Sequence, residues 1–289
     1  MKVLLAGGAG MLGQDLARAA DRAGHEALAL GHGELDVTDE RALRAALARI
    51  EPDAIVNCAA FTDVDGAESQ PELALAVNRD GAHNLAQAAA EAGVPLVHVS
   101  TDYVFDGIAP RGRDGRPRAY LESDPTGPRT AYGESKLAGE REVLAASPRH
   151  TVVRTAWLFG VGGRNFAATM LSLAGERDSI KVVDDQIGCP TWAGHLAPAL
   201  LGLLERGVTG LVHQAGTGAV SWNGFAREIF RQAELGCAVE PASTAEMARP
   251  APRPAWSALE SERDDVLALP PWQDGLAGYL AARTGIMRA

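Results

Sequence analysis

Cysteine is scarce in this 289-residue chain, with only Cys58, Cys189 and Cys237 present. The three form neither a paired framework nor a metal-ligand spacing, which points to a reducing compartment, and the cytoplasm is expected. Positive charge is short as well. A net charge of −10 argues against nonspecific nucleic-acid binding and leaves only a local basic cluster to receive a phosphate-bearing small molecule. No stretch approaches the ~18 apolar residues of a membrane span, so no membrane partner is expected. The opening Met1-Lys2-Val3-Leu4-Leu5 is broken at once by glycines and is too short for the apolar segment of a signal peptide. None of the seven histidines stands at helical or hairpin spacing from another zinc ligand. No internal repeat or low-complexity tract is present.

An apolar fraction of 46% beside a charged fraction of 22% is that of an ordinary globular protein, and the length suits about two domains or one large α/β domain with an appendage. Apolar periodicity predicts strands over residues 3–6, 26–30, 54–59 and 95–100, alternating with helices over 11–23, 40–50 and 73–92. Strands and helices at this spacing imply right-handed crossovers and a doubly wound, Rossmann-like parallel sheet of the α/β class. Residues 106–129, rich in Gly, Pro and Arg, read as an exposed excursion. Further strands are expected at 151–157, 181–183 and 210–214, a helix at 222–234, and a Pro-rich loop at 241–254. The expected division is a dinucleotide-binding domain over 1–160 and a smaller, mainly substrate-binding portion over 161–289, interleaved with the main sheet.

Gly7, Gly10 and Gly13 fall where the first strand turns into a helix, and with Met11 and Leu12 they form the expected pyrophosphate cradle: missing side chains permit a tight turn, close approach of a diphosphate and close helix packing. The second strand ends Leu30-Gly31-His32, without the carboxylate that marks NAD sites. NADPH is therefore the expected cofactor, with NADH left open and His32 placed to assist a 2′-phosphate when protonated. Asp36 and Val37 are expected to flank adenine, and Cys58, Ala59 and Ala60 to let the cofactor lie along the end of the third strand.

Tyr132 and Lys136 stand one helical turn apart and share a face if their segment is helical. An ammonium about 4 Å from a phenol favours the phenolate by roughly 4 kcal/mol at an effective dielectric of about 20, enough to let a tyrosine exchange protons near neutrality. With the glycine turn and with Ser100-Thr101-Asp102 at a strand end, the pair points to nicotinamide-dependent carbonyl chemistry.

These features resemble the extended short-chain dehydrogenase/reductases over nearly the whole chain. Four separated segments narrow the resemblance to the dTDP-4-dehydrorhamnose reductase family: Ser100 to Gly107 (STDYVFDG), Arg154 to Gly160 (RTAWLFG), Asp185 to Thr191 (DQIGCPT) and Arg253 to Ser257 (RPAWS). The resemblance implies reduction of the 4-keto group of dTDP-4-dehydro-β-L-rhamnose to dTDP-L-rhamnose. Tyr132 would then be the general acid, Lys136 its partner and the holder of the nicotinamide ribose, and Thr101 a second donor to the carbonyl oxygen. Asp102, Tyr103, Trp157, Asn165, Gln186, Thr191 and Arg253 would receive the nucleotide sugar, with the Arg253 guanidinium suited to its diphosphate. Related dehydratases carry Asp-Glu after the threonine; Tyr103 in the second position favours simple reduction. Some relatives dimerise around magnesium, so a homodimer is an expectation, and Asp15 with Asp184 and Asp185 could supply oxygens for Mg2+. A hard cation needs several ligands in set geometry, and a solvated acidic turn is the preferred reading there. Two alternatives stand beside the leading one: reduction of another nucleotide-linked 4-keto deoxysugar, which Cys189 before Pro190 and Trp256 in the Arg-Pro segment keep open, and an NADP-binding regulatory subunit, against which Thr101, Tyr132 and Lys136 count.

Overall fold

A computed structural model of the chain describes residues 1–286. Its first half follows the expected alternation: β1 (Lys2–Ala6), α1 (Met11–Arg22), β2 (Glu26–Leu30), α2 (Glu40–Ile50) and β3 (Ala54–Asn57). Then come α3 (Val64–Ser69), α4 (Pro71–Leu75), α5 (Gly81–Glu91), β4 (Leu96–Thr101), α6 (Ala131–Ala146) and β5 (Thr151–Thr155). The second half supplies β6 (Leu158–Phe159), α7 (Phe166–Ala174), β7 (Ser179–Val183), β8 (Ile187–Gly188), β9 (Thr191–Trp192), α8 (Ala193–Arg206) and β10 (Gly210–His213). It ends with β11 (Val220–Ser221), α9 (Trp222–Gln232), β12 (Ala238–Ala242) and α10 (Trp272–Ile286). Among the described residues no helix is long and apolar enough to cross a membrane.

Six parallel strands form the main sheet in the order β10-β5-β4-β3-β1-β2. Alternate residues of each strand face opposite layers, so both faces can be dry. Val3, Leu5, Val56, Val97, Val153 and Val212 pack with Leu12, Leu16 and Leu196. On the other face Leu4, Ile55, Leu96 and Val152 meet Leu43, Leu47, Leu85 and Val143. The strand order reverses between β1 and β3, and crevices of such sheets open at the carboxyl ends of the strands there.

The helix expected over 73–92 is interrupted. Residues Ala76–Asp80 form a π-helical turn, because the buried Asn78 side chain is claimed elsewhere: its Oδ1 accepts from Phe61 N at 2.8 Å, and its Nδ2 donates to Phe61 O at 3.1 Å and to Ser135 Oγ at 3.0 Å. Gly139 on α6 lies against the Asn78 carbonyl where a Cβ would not fit. The irregular turn thereby seats the helix that carries Tyr132 and Lys136.

The strand expected at 181–183 is β7, which pairs not with the main sheet but with β12, so the expected loop at 241–254 begins as the end of a strand. Helices α7, α8 and α10 had no counterpart in the periodicity reading. Helix α8 packs into the main-sheet core, whereas α7, α9 and α10 build an aromatic-rich second core with Phe159, Phe225, Phe230, Trp272 and Tyr279, and β10, from beyond residue 160, completes the sheet itself.

Candidate active site

The carboxyl ends of β1, β3 and β4 open into a cleft of about 1570 Å³. Gly7 enters the first turn with φ +74°, and a Cβ on it would stand 2.6 Å from Ala59 N; a Cβ on Gly13 would stand 2.6 Å from Gly8. Only glycine permits both approaches. Gly10 caps α1 without a side-chain hydrogen bond, so the free N–H groups of the first helical turn face the cleft, as an anion site requires. Gly7, Gly10, Met11, Leu12, Gly13, Cys58 and Ala60 line it, and Ala59 supports the Gly7 turn from behind.

Three residues expected on the cofactor side, His32, Asp36 and Val37, sit on the loop after β2. His32 is 85% exposed on the loop after β2 and stands 3.9 Å from Asp36. Asp36 accepts from Thr38 N and Oγ1. Val37 is a core residue packed against Gly81, its carbonyl accepting from Asn84 Nδ2. All three lie off the cleft lining. The end of β2 is also not free of carboxylate: Glu34 folds back so that Oε2 accepts from Gly31 N at 2.9 Å, a placement hidden by its distance along the chain.

Thr130 caps α6, accepting from Gly133 N at 3.0 Å, and Glu68 Oε1 accepts from Ala131 N. This fixes the start of the helix and brings Tyr132 to the cleft beside Thr101, Asp102, Tyr103 and Lys136. The Tyr132 ring meets Tyr103 edge-on, centroids 5.5 Å apart at 77°. Thr101 Oγ1 donates to Asp102 Oδ1 at 2.9 Å and accepts from Tyr103 N, so donation to a substrate oxygen requires the hydroxyl to turn from Asp102. Burial raises the Asp102 carboxyl to about 6, and its Oδ2 has no partner among the described residues.

The electrostatic expectation for Tyr132 is also corrected. Burial pushes the phenol up to about 12, with the Thr101 hydroxyl drawing it partly back. The Lys136 amine is engaged elsewhere, 2.8 Å from Val99 O and 3.2 Å from His98 Nε2, and burial lowers it to about 8. Desolvation opposes charge on both groups. One turn beyond Lys136, buried Glu140 binds Arg154 at 2.7 Å and accepts from Ser100 Oγ.

On the far side of the cleft Trp157 adopts φ +48°, and its Nε1 donates to Ser257 Oγ at 3.0 Å. Gln186 Nε2 donates to Thr244 Oγ1 at 2.9 Å, and Arg253 reaches Asp65 Oδ2 at 2.8 Å; both side chains line the cleft. Asn165 and Thr191 do not. Asn165 caps α7, donating to Gly160 O and Gly163 O and accepting from Ala168 N. Thr191, fully buried, donates to Cys189 O and accepts from Gly216 N. Both side chains serve the backbone. Periodicity gave no warning of Trp222, Arg164, Arg177, Lys181 and Arg249, which also line the cleft, the last four bringing positive charge in an acidic protein.

No group of three or more metal-ligating side chains is gathered among the described residues. Asp15 binds Arg18 at 2.8 Å, Asp184 accepts from Ser221 and Asp185 from Thr244, and the three carboxylates considered for Mg2+ form no ligand cluster among the described residues.

Residues 1–284 match the family model of the RmlD substrate binding domain. The chain belongs to this family. It is 45% identical to a dTDP-4-dehydrorhamnose reductase of Streptomyces griseus over 98% of this chain and 94% of the relative. A probable dTDP-4,6-dihydroxy-2-methyloxan-3-one 4-ketoreductase of Streptomyces antibioticus is 42% identical, covering 100% of this chain and 97% of the relative. Among solved structures, the dTDP-4-dehydrorhamnose reductase of Bacillus anthracis str. Ames in complex with NADP superposes with a TM-score of 0.92 at 36% identity, over 98% of this chain and 100% of that one. The Rossmann-like sheet and its cleft are thus those of the RmlD family.

Proposed function

We propose that this protein reduces the 4-keto group of dTDP-4-dehydro-β-L-rhamnose to give dTDP-L-rhamnose, using NADPH or NADH. The observation that carries the reading is the convergence of Tyr132, Lys136 and Thr101 with the bare N-terminus of α1 in one cleft, in a chain that shares 45% of its sequence with a reductase of that name.

The glycine turn fits a dinucleotide: Gly7, Gly10 and Gly13 keep side chains away, and the first N–H groups of α1 receive the diphosphate. When bound, the nicotinamide supplies the hydride. Tyr132 donates its proton to the C4 oxygen as negative charge develops there, and a phenol held near 12 remains fully protonated for that donation. Thr101, turned from Asp102, gives a second hydrogen bond to the same oxygen. Trp157 and Tyr103 border the sugar, and Arg253, with Arg249 beside it, meets the substrate diphosphate. Residues 1–160 thus carry the cofactor side together with Thr101, Tyr103, Tyr132 and Trp157, and the later residues add Arg249 and Arg253 on the substrate side.

The Streptomyces antibioticus relative, named for another dTDP-linked 4-keto sugar, supports a second reading in which the same chemistry acts on a related deoxysugar. Purified protein mixed with NADPH and a set of dTDP-linked 4-keto sugars, with products identified by mass and NMR, separates the two. Preferred formation of dTDP-L-rhamnose is expected, turnover of a different sugar alone would transfer the assignment to the second reading, and turnover of none would refute both.

A further inference from the structure

Asn57 and His98 are register partners on β3 and β4, each about 1% exposed, and they lead in line to Lys136. Ala59 N donates to Asn57 Oδ1 at 3.0 Å. Asn57 Nδ2 stands 3.0 Å from His98 Nδ1, and His98 Nε2 stands 3.2 Å from Lys136 Nζ. A backbone N–H can only donate, so it fixes Oδ1 of Asn57 as acceptor and turns the amide NH2 toward the imidazole. Nδ1 of His98 must then accept. A neutral imidazole carries one proton, which is left on Nε2, and burial holds His98 well below the ordinary histidine range, so no second proton is favoured. The Nε2–H points at Nζ, and only an amine with a free lone pair can receive it.

We propose that His98 is a positioning residue of this site that acts through Lys136: Asn57 holds the imidazole proton on Nε2, and the Nε2–H donates to the Lys136 amine and favours its uncharged form. Its role in the active site rests on the reading of Tyr132 and Lys136 given above. Two further groups face the amine: Glu140 from its own helix and Cys58 from the end of β3, both favouring the ammonium. Glu140 is committed to Arg154 and Ser100, and burial pushes the Cys58 thiol up to about 12, leaving it uncharged. Burial holds the Lys136 amine below the ordinary lysine range, at about 8, and the His98 donor acts in the same direction. Because Gly7 packs against Cys58 and Ala59, the same Asn57 side chain ties the cofactor turn to the lysine.

The chain has three lysines, Lys2, Lys136 and Lys181, so protein labelled with 13C at lysine Cε gives three titration curves, assigned with Lys2→Arg and Lys181→Arg. Wild-type protein is expected to show a pyridine-type Nδ1 and a pyrrole-type Nε2 for His98 in its 15N spectrum. His98→Leu removes a donor that only the uncharged amine can accept, and the Lys136 titration moves up by roughly half to one pH unit. His98→Gln, whose amide offers an acceptor and a donor side by side, restores the wild-type curve. Asn57→Asp accepts from Nδ1–H, moves the proton off Nε2 and raises Lys136 further. A pyrrole-type Nδ1 in the wild type, or a Lys136 titration that falls or stays in place in His98→Leu, overturns the proposal. The 15N spectrum requires no variant at Asn57 or His98. None of these readouts requires turnover, so they stand or fall separately from the reductase reading.

Discussion

Trp157 and Trp222 stack face to face, ring centroids 3.5 Å apart at 3°. The first is held in the left-handed region by its hydrogen bond to Ser257; the second begins α9 and leans on Phe166, 4.5 Å away. Together they make a rigid apolar wall on the side of the cleft opposite the glycine turn. Trp222→Ala leaves Trp157 without its support, and with an aromatic pair contributing about 1 kcal/mol, the KM for the sugar nucleotide is expected to rise about fivefold while the Kd for cofactor is unchanged. Steady-state kinetics paired with cofactor titration check this.

Glu140 and Arg154 are 3% and 4% exposed at their side chains, and Arg154 also lies 5.0 Å over the Phe105 ring. Removing one charge strands the other in a dry site, at a cost of roughly 3–5 kcal/mol. Glu140→Gln is expected to lose about that much stability in urea unfolding, far more than Glu40→Gln, whose partner Arg44 is on the surface.

Asp102 gives stability a pH dependence of known sign. Its folded value of about 6 lies above the ordinary 3.8, so between those values the native state binds the additional proton. Stability from this group is full below pH 3.8 and is lost as pH rises through 6, by about 3 kcal/mol in all. Asp102→Asn, which keeps an oxygen for Thr101, is expected to raise the unfolding midpoint at pH 8 and to match the wild type near pH 4.

Glu34 stands at the end of β2, where a 2′-phosphate would meet its charge. Glu34→Ala is expected to improve kcat/KM for NADPH relative to NADH by roughly fivefold, the worth of about 1 kcal/mol of exposed repulsion. An unchanged ratio would place the 2′ position elsewhere.

The central parallel strands β1 and β3 were legible because they are buried on both faces and read as apolar runs. The helix over 73–92 was legible except for its π-helical turn at Ala76–Asp80, where Asn78 spends its side chain on Phe61 and Ser135, contacts invisible to periodicity. In the second half, β6, β8, β9 and β11 have two residues each, too few to leave a pattern. Chemistry was legible where residues are local: Gly7 to Gly13, and Tyr132 with Lys136. It was illegible where geometry is set from afar. Asn165 and Thr191 were drawn into the backbone by carbonyls and N–H groups that no motif shows, Glu34 returned to a strand end it follows by four residues, and Lys136 was taken by Val99 and His98.

The central claim is that Tyr132 gives its proton to the C4 oxygen while hydride arrives at C4. Wild-type and Tyr132→Phe proteins mixed with 4-deuterated NADPH and dTDP-4-dehydro-β-L-rhamnose test it in a single-turnover experiment read by mass. The account predicts deuterium at C4 of the product in wild type and a rate lower by roughly 10²- to 10⁴-fold in Tyr132→Phe, with cofactor affinity unchanged. A Tyr132→Phe rate within a few-fold of wild type would contradict it.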